Sequence, residues 1–117
     1  LCGCSQKEQV LLIQNKGSDT LVNLAQAWSE EYTKVNPNVA IAVSGGGSGT
    51  GIAALINGTV DIANSSRAIK DEERDEARKN SGKEVNEFIV GMDALAVFVH
   101  PVNPLTDLSL EEAACIY

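Results

Sequence analysis

From Val39 to Ile56 the chain reads VAIAVSGGGSGTGIAALI: an apolar run, a burst of glycines, then a helical pattern. Five glycines fall between Gly45 and Gly51, interrupted only by Ser48 and Thr50. Val39 to Val43 suits a buried strand. Ile52, Ala53, Leu55 and Ile56 suit a short helix closed by Asn57-Gly58. A strand that turns through small residues into a helix is the repeating unit of α/β folds. The turn combines backbone freedom with the unpaired N–H groups of a helix start. An anion, a dinucleotide, a strained nucleophile or a plain turn would each suit it.

The same alternation runs through the rest of the chain. Val10 to Gln14 reads as a strand, broken by Asn15-Lys16-Gly17. Ser18, Asp19 and Thr20 then open a helix. Leu21, Leu24, Ala25, Trp28, Tyr32 and Val35 share one of its faces, and Asn36-Pro37-Asn38 ends it. Val60 to Ala63 is a third strand, followed by Asn64-Ser65-Ser66-Arg67. Residues 70 to 80, KDEERDEARKN, form a charged helix that reads as a solvated surface. Glu84 to Val90 and Ala94 to His100 are expected to be two further strands. Ser109 caps a last helix, with Glu112 completing a capping box. The fold class is α/β, a largely parallel sheet flanked by helices.

The 117 residues suffice for one core, and 44% hydrophobic content argues for a globular fold. A net charge of −7 argues against a nucleic-acid partner. It does not exclude a small anion, because backbone N–H groups act at short range. No cysteine or histidine spacing suggests zinc, and no cofactor is expected.

In parallel sheets, ligands bind beyond the carboxyl ends of the strands. Three polar turns occupy such places: Gly17 to Thr20, Gly45 to Gly51 and Asn64 to Arg67. Two helix starts carry hydroxyls, Ser18-Asp19-Thr20 and Ser48-Gly49-Thr50, and Arg67 offers a guanidinium fork for a tetrahedral oxyanion. Ser and Thr are also ordinary helix caps. Three turns on one edge with an arginine favour an anion site.

Competing chemistry has weaker support. Gly49 to Ala54 fits the dinucleotide pattern G-x-G-x-x-A, but follows the second strand, and Ser66 and Arg67 end the next one instead of an acidic residue. Arg67 could accept a 2′-phosphate, so a dinucleotide-binding oxidoreductase domain stays as an alternative. Ile52 stands where a phosphate-binding P-loop needs lysine. Gly46 to Thr50 is one residue short of a nucleophile elbow. His100, the single histidine, stands beside Pro101 and reads more readily as structural than as a base. No carboxylate pair stands out as acid and base, so an enzyme is not expected.

Taken together, GSDTLVNLAQAW, AVSGGGSGTGIAALINGTVDIANSSR and GMDALAVFVHPVNPLTDLSLEEAACIY closely resemble the phosphate-binding proteins of bacterial and archaeal phosphate ABC transporters. The resemblance runs from Val10 to Tyr117. It implies a type II-like periplasmic-binding-protein fold in which two lobes close on phosphate, with the transporter permease as partner. It assigns phosphate contacts to Ser18, Asp19, Thr20, Ser48, Gly49, Ser66 and Arg67. Residues 10–100 would form the first lobe and 101–117 the start of a crossover toward a second. That lobe would supply the rest of the site, so this chain alone is expected to bind phosphate weakly or not at all. Well-known members carry aspartate at the position of Ser66, where it accepts the proton of hydrogen phosphate. Asp19 is the substitute expected here, unless it only caps its helix. Sulfate or molybdate is the nearest alternative ligand.

Leu1-Cys2-Gly3-Cys4 resembles a bacterial lipobox, with Cys4 the lipidated residue and residues 5–9 a polar tether. It implies an extracytoplasmic protein anchored to a membrane. Cys115 would then remain as a lone, buried hydrophobe.

Overall fold

The computed structural model describes residues 10–94 and 96–116. The lipobox and Cys4 lie outside the described residues. The chain divides into two units, one ending at Glu87 and one beginning at Phe88.

The first unit is built on three parallel strands in the order β2-β1-β3. These are β1 (Leu11–Gly17), β2 (Val39–Ser44) and β3 (Ile62–Asn64). Helix α1 (Asp19–Val35) joins β1 to β2, and α2 (Ser48–Ile56) joins β2 to β3. The two crossovers run in opposite directions across the sheet. The right-handed rule therefore places α1 and α2 on opposite faces. Helix α3 (Asp71–Ser81) packs against α2, where Ala77 is buried, and Asn80 Nδ2 donates to Ile56 O at 3.3 Å. The charged helix is thus more than the solvated surface its composition suggests.

Strand β1 runs three residues past the expected Gln14, through Asn15, Lys16 and Gly17. It is the central strand, so both edges of its backbone are paired even where its side chains are polar. Leu11 to Lys16 register with Val39 to Ser44, and Asn15 to Gly17 with Ile62 to Asn64. The third strand starts later than expected. Before it, the Asp61 carboxylate takes the Gln14 N–H at 2.8 Å, while Asp61 N–H donates to Gln14 O at 2.9 Å. Helix α2 starts at Ser48, where the hydroxyl residues mark a helix start, and so takes in Ser-Gly-Thr-Gly.

The core is small: Ala25, Ile52 and Ala77 are its buried apolar residues. Helix α1 packs against β2, with Ser29 Oγ donating to Ile41 O at 3.2 Å. The expected face is only partly covered, since Trp28 and Tyr32 remain about half exposed.

The second unit carries α4 (Leu110–Ile116). Its capping box is formed: Glu112 N–H donates to Ser109 Oγ at 3.2 Å, and Ser109 N–H to Glu112 Oε2 at 2.9 Å. The Ser109 N–H, and after it the Ser109 hydroxyl, holds the Glu112 carboxyl below its ordinary value. Cys115 is exposed, not buried. The two expected strands at 84–90 and 94–100 are not formed among the described residues. Apolar content is not enough to make a strand. A strand needs a hydrogen-bonded neighbour, and none pairs with them among the described residues, where Phe88, Ile89 and Phe98 are at least 80% exposed. No helix among the described residues is long and apolar enough to cross a membrane.

Candidate functional site

The strand order puts the reversal of chain direction between β1 and β3. Ligands of open α/β sheets bind at such a point, beyond the carboxyl ends of the strands. Here the turn after β1, the glycine loop before α2 and the loop after β3 meet.

Backbone bonds tie the three together. Ser18 N–H donates to Asn64 O at 2.8 Å, joining the β1 turn to the end of β3. Gly47 N–H donates to Gly17 O at 3.0 Å, folding the glycine loop over the end of β1. Below this edge the Asn15 and Asn64 amides face each other, with Asn64 Nδ2 donating to Asn15 Oδ1 at 2.7 Å and the reverse bond at 3.4 Å.

The glycines serve separate purposes. Gly46 and Gly47 make the turn, with φ of 123° and 88°. Gly51 allows close packing: a Cβ there would sit 2.5 Å from Lys16 O and 2.6 Å from Gly17 Cα. A Cβ at Gly49 would meet nothing within 4 Å. Gly49 and Gly51 lie inside α2, so the G-x-G-x-x-A pattern does not form the turn that a dinucleotide fingerprint requires.

Helix α2 leaves the amides of Ser48, Gly49 and Thr50 without an intrahelical acceptor, since Gly51 N–H is the first to reach back, to Gly47 O. Helix α1 leaves those of Asp19 and Thr20, with Leu21 N–H reaching Ser18 O. Ser18 is 4% exposed, and its hydroxyl makes no capping bond. The hydroxyls of Ser48 and Ser66 are 3.1 Å apart, and Ser66 N–H also donates to Ser48 Oγ at 3.1 Å. Asp19 Oδ1 accepts from Gly46 N–H at 3.0 Å. Asp19 thus braces the glycine loop rather than capping its own helix. Thr20 is exposed, and its hydroxyl makes no hydrogen bond among the described residues.

Arg67 is engaged in a way its sequence context does not reveal. Its Nη1 and Nη2 donate to Glu73 Oε2 and Oε1 at 2.9 and 2.7 Å, and Nη1 also donates to Ala68 O at 2.9 Å. Hydrogen bonding from Arg67, then from the Lys70 N–H, holds the Glu73 carboxyl at about 2, against an ordinary 4.5. The same contact raises the Arg67 pKa. Sequence reasoning missed Glu73 because one carboxylate in a charged run carries no distinguishing mark. Asn15 was missed because it reads as a strand breaker. No cluster of side chains suited to a metal ion occurs among the described residues.

A search of known proteins gives a consistent answer. The family model described as a PBP superfamily domain matches residues 5–117. The phosphate-binding protein PstS of Pseudomonas aeruginosa is 38% identical over 105 residues, covering 90% of this chain and 32% of that protein. Protein SphX of Synechococcus elongatus is also 38% identical, covering 93% of this chain and 32% of its own length. The chain therefore spans about a third of the curated relatives it matches. Among solved structures, a possible phosphate-binding protein from Planctomyces limnophilus superposes with a TM-score of 0.57 at 32% identity, over 62% of this chain and 25% of its own. A phosphate ABC transporter phosphate-binding protein from Streptococcus pneumoniae gives 0.54 at 29% identity, over 64% and 29%.

Proposed function

The chain belongs to the PBP superfamily, and on that premise we propose that it forms part of an extracytoplasmic solute-binding protein that captures inorganic phosphate for an ABC importer. The observation that carries this reading is the meeting of Ser48 and Ser66, hydroxyl to hydroxyl at 3.1 Å, beside the free amides of α2. Two hydroxyls side by side at a helix start suit a tetrahedral oxyanion. Ser18, with its buried and uncapped hydroxyl, and the first amides of α1 would add donors from the β1 side. The phosphate-binding proteins of Pseudomonas aeruginosa and Streptococcus pneumoniae to which the chain is similar agree in ligand class.

In this reading Ser18, Asp19, Thr20, Ser48, Gly49, Ser66 and Arg67 contact phosphate. Residues 10–100 belong to the first lobe, 101–117 begin the crossover, and a second lobe closes the site. Binding is the whole task, with no bond made or broken in the ligand. The permease of the importer is the partner, and a lipid on Cys4 is the membrane anchor.

Asp19 would supply the discrimination that a carboxylate provides. Its Oδ1 is occupied by Gly46 N–H, while Oδ2 has no partner among the described residues and can accept the proton of hydrogen phosphate. Sulfate has no such proton to give at neutral pH, and its oxygens would meet a bare carboxylate. The test is calorimetric titration of phosphate, sulfate and molybdate into the full-length protein and its Asp19→Asn variant. Asparagine keeps an acceptor for Gly46, so the loop stays braced. The expected result is preference for phosphate in the parent and a reduced phosphate-to-sulfate ratio in the variant. An unchanged ratio would remove Asp19 from the account of selectivity.

A further inference from the structure

We propose that Glu73 is a positioning residue for the oxyanion site: by occupying one edge of the Arg67 guanidinium, it presents the other edge to the ligand. The proposal rests on the oxyanion reading given above. A guanidinium carries five N–H donors in a fixed plane. Three are used here, two on Nη1 and one on Nη2, by Glu73 and Ala68 O. Nε–H and the second Nη2–H have no acceptor among the described residues. These two donors lie side by side and parallel, the spacing that meets two oxygens of one tetrahedral anion.

Both members of the pair are held from behind. Glu73 Oε2 also accepts the Lys70 N–H at 2.9 Å, which fixes the carboxylate in the first turn of α3. Negative charge is favoured there by the helix dipole. The low pKa of Glu73 agrees with a carboxylate that stays ionised in this position. On the other side, Ser65 Oγ donates to Arg67 O at 2.6 Å and accepts Arg67 N–H at 3.2 Å, pinning the backbone. Arg67 directly follows Ser66, whose hydroxyl meets Ser48. The Arg67 side chain is 38% exposed, so it is not enclosed by the protein. Holding a long side chain in one rotamer before the ligand arrives removes part of the ordering cost of binding.

A double-mutant cycle in the full-length protein tests this. Phosphate and sulfate are titrated into the parent, Glu73→Gln, Arg67→Gln and the double variant. Glu73→Gln should weaken binding of the preferred oxyanion about tenfold, in line with orienting partners at other sites. Arg67→Gln should weaken it at least as much, and the double variant should bind no worse than Arg67→Gln alone. Unchanged or tighter binding by Glu73→Gln overturns the proposal. So do losses that multiply, which is what a general loss of fold would give. Should Glu73→Gln not fold, the parent decides by NMR: phosphate should shift the Arg67 Nε–H resonance while the Nη1 protons stay in place. The reverse pattern overturns the proposal. A parent that binds phosphate but shows multiplying losses removes only the role of Glu73. A parent that binds no oxyanion removes the functional reading as well.

Discussion

Asn15 and Asn64 exchange side-chain hydrogen bonds between the central strand and β3, directly below the loops that would hold an anion. Asn15 is 7% exposed, so its amide has little access to water. Replacing Asn15 with leucine would leave the Asn64 amide without its partner. A buried polar group left unpaired costs roughly 1–3 kcal/mol. Urea denaturation of the Asn15→Leu variant should show an unfolding free energy lower by that amount, read as a lower midpoint at an unchanged slope.

Gly49 and Gly51 stand two residues apart in α2 and should respond oppositely to alanine. At Gly51 the new methyl would strike the backbone of β1. At Gly49 it meets open space, and alanine should favour the helix by about 1 kcal/mol. Thermal melts should therefore place Gly51→Ala below the parent and Gly49→Ala at or above it. Phosphate titration should show Gly49→Ala weakened nonetheless, because its methyl would intrude on the anion's approach to the free amides.

The Arg67–Glu73 pair sets an acid dependence. The Glu73 carboxyl sits near 2 in the folded chain, below its ordinary 4.5. The unfolded chain therefore takes up this proton at higher pH than the folded one does. The pair's contribution is complete above about pH 4.5 and is lost as pH falls toward 2. Denaturant midpoints measured across that interval should fall more steeply for the parent than for Glu73→Gln. Equal slopes would mean that the pair does not persist in solution.

The sequence exposed the fold unevenly, for physical reasons. Apolar runs and helical spacing located β1, α1, β2 and α2, because burial imposes those periods locally. The ends of the elements were set by partners far away in the chain. β1 extends through Asn15-Lys16-Gly17 only because β2 and β3 satisfy its backbone. Conversely, ALAVFVH has the composition of a strand, yet no strand is formed there among the described residues. The hydroxyl residues at the two helix starts were legible as such, because Ser and Thr favour those positions. Glu73 and Asn15 act through contacts made only on folding, so the sequence alone does not distinguish them.

The central claim is that the turn after β1, the start of α2 and the loop after β3 hold one oxyanion. The most direct measurement is an amide NMR titration of the full-length protein with inorganic phosphate. Saturable shifts should concentrate at the amides of Asp19, Thr20, Ser48, Gly49 and Thr50, and at Ser66 and Arg67. Saturable phosphate binding that leaves these amides unmoved would contradict the account.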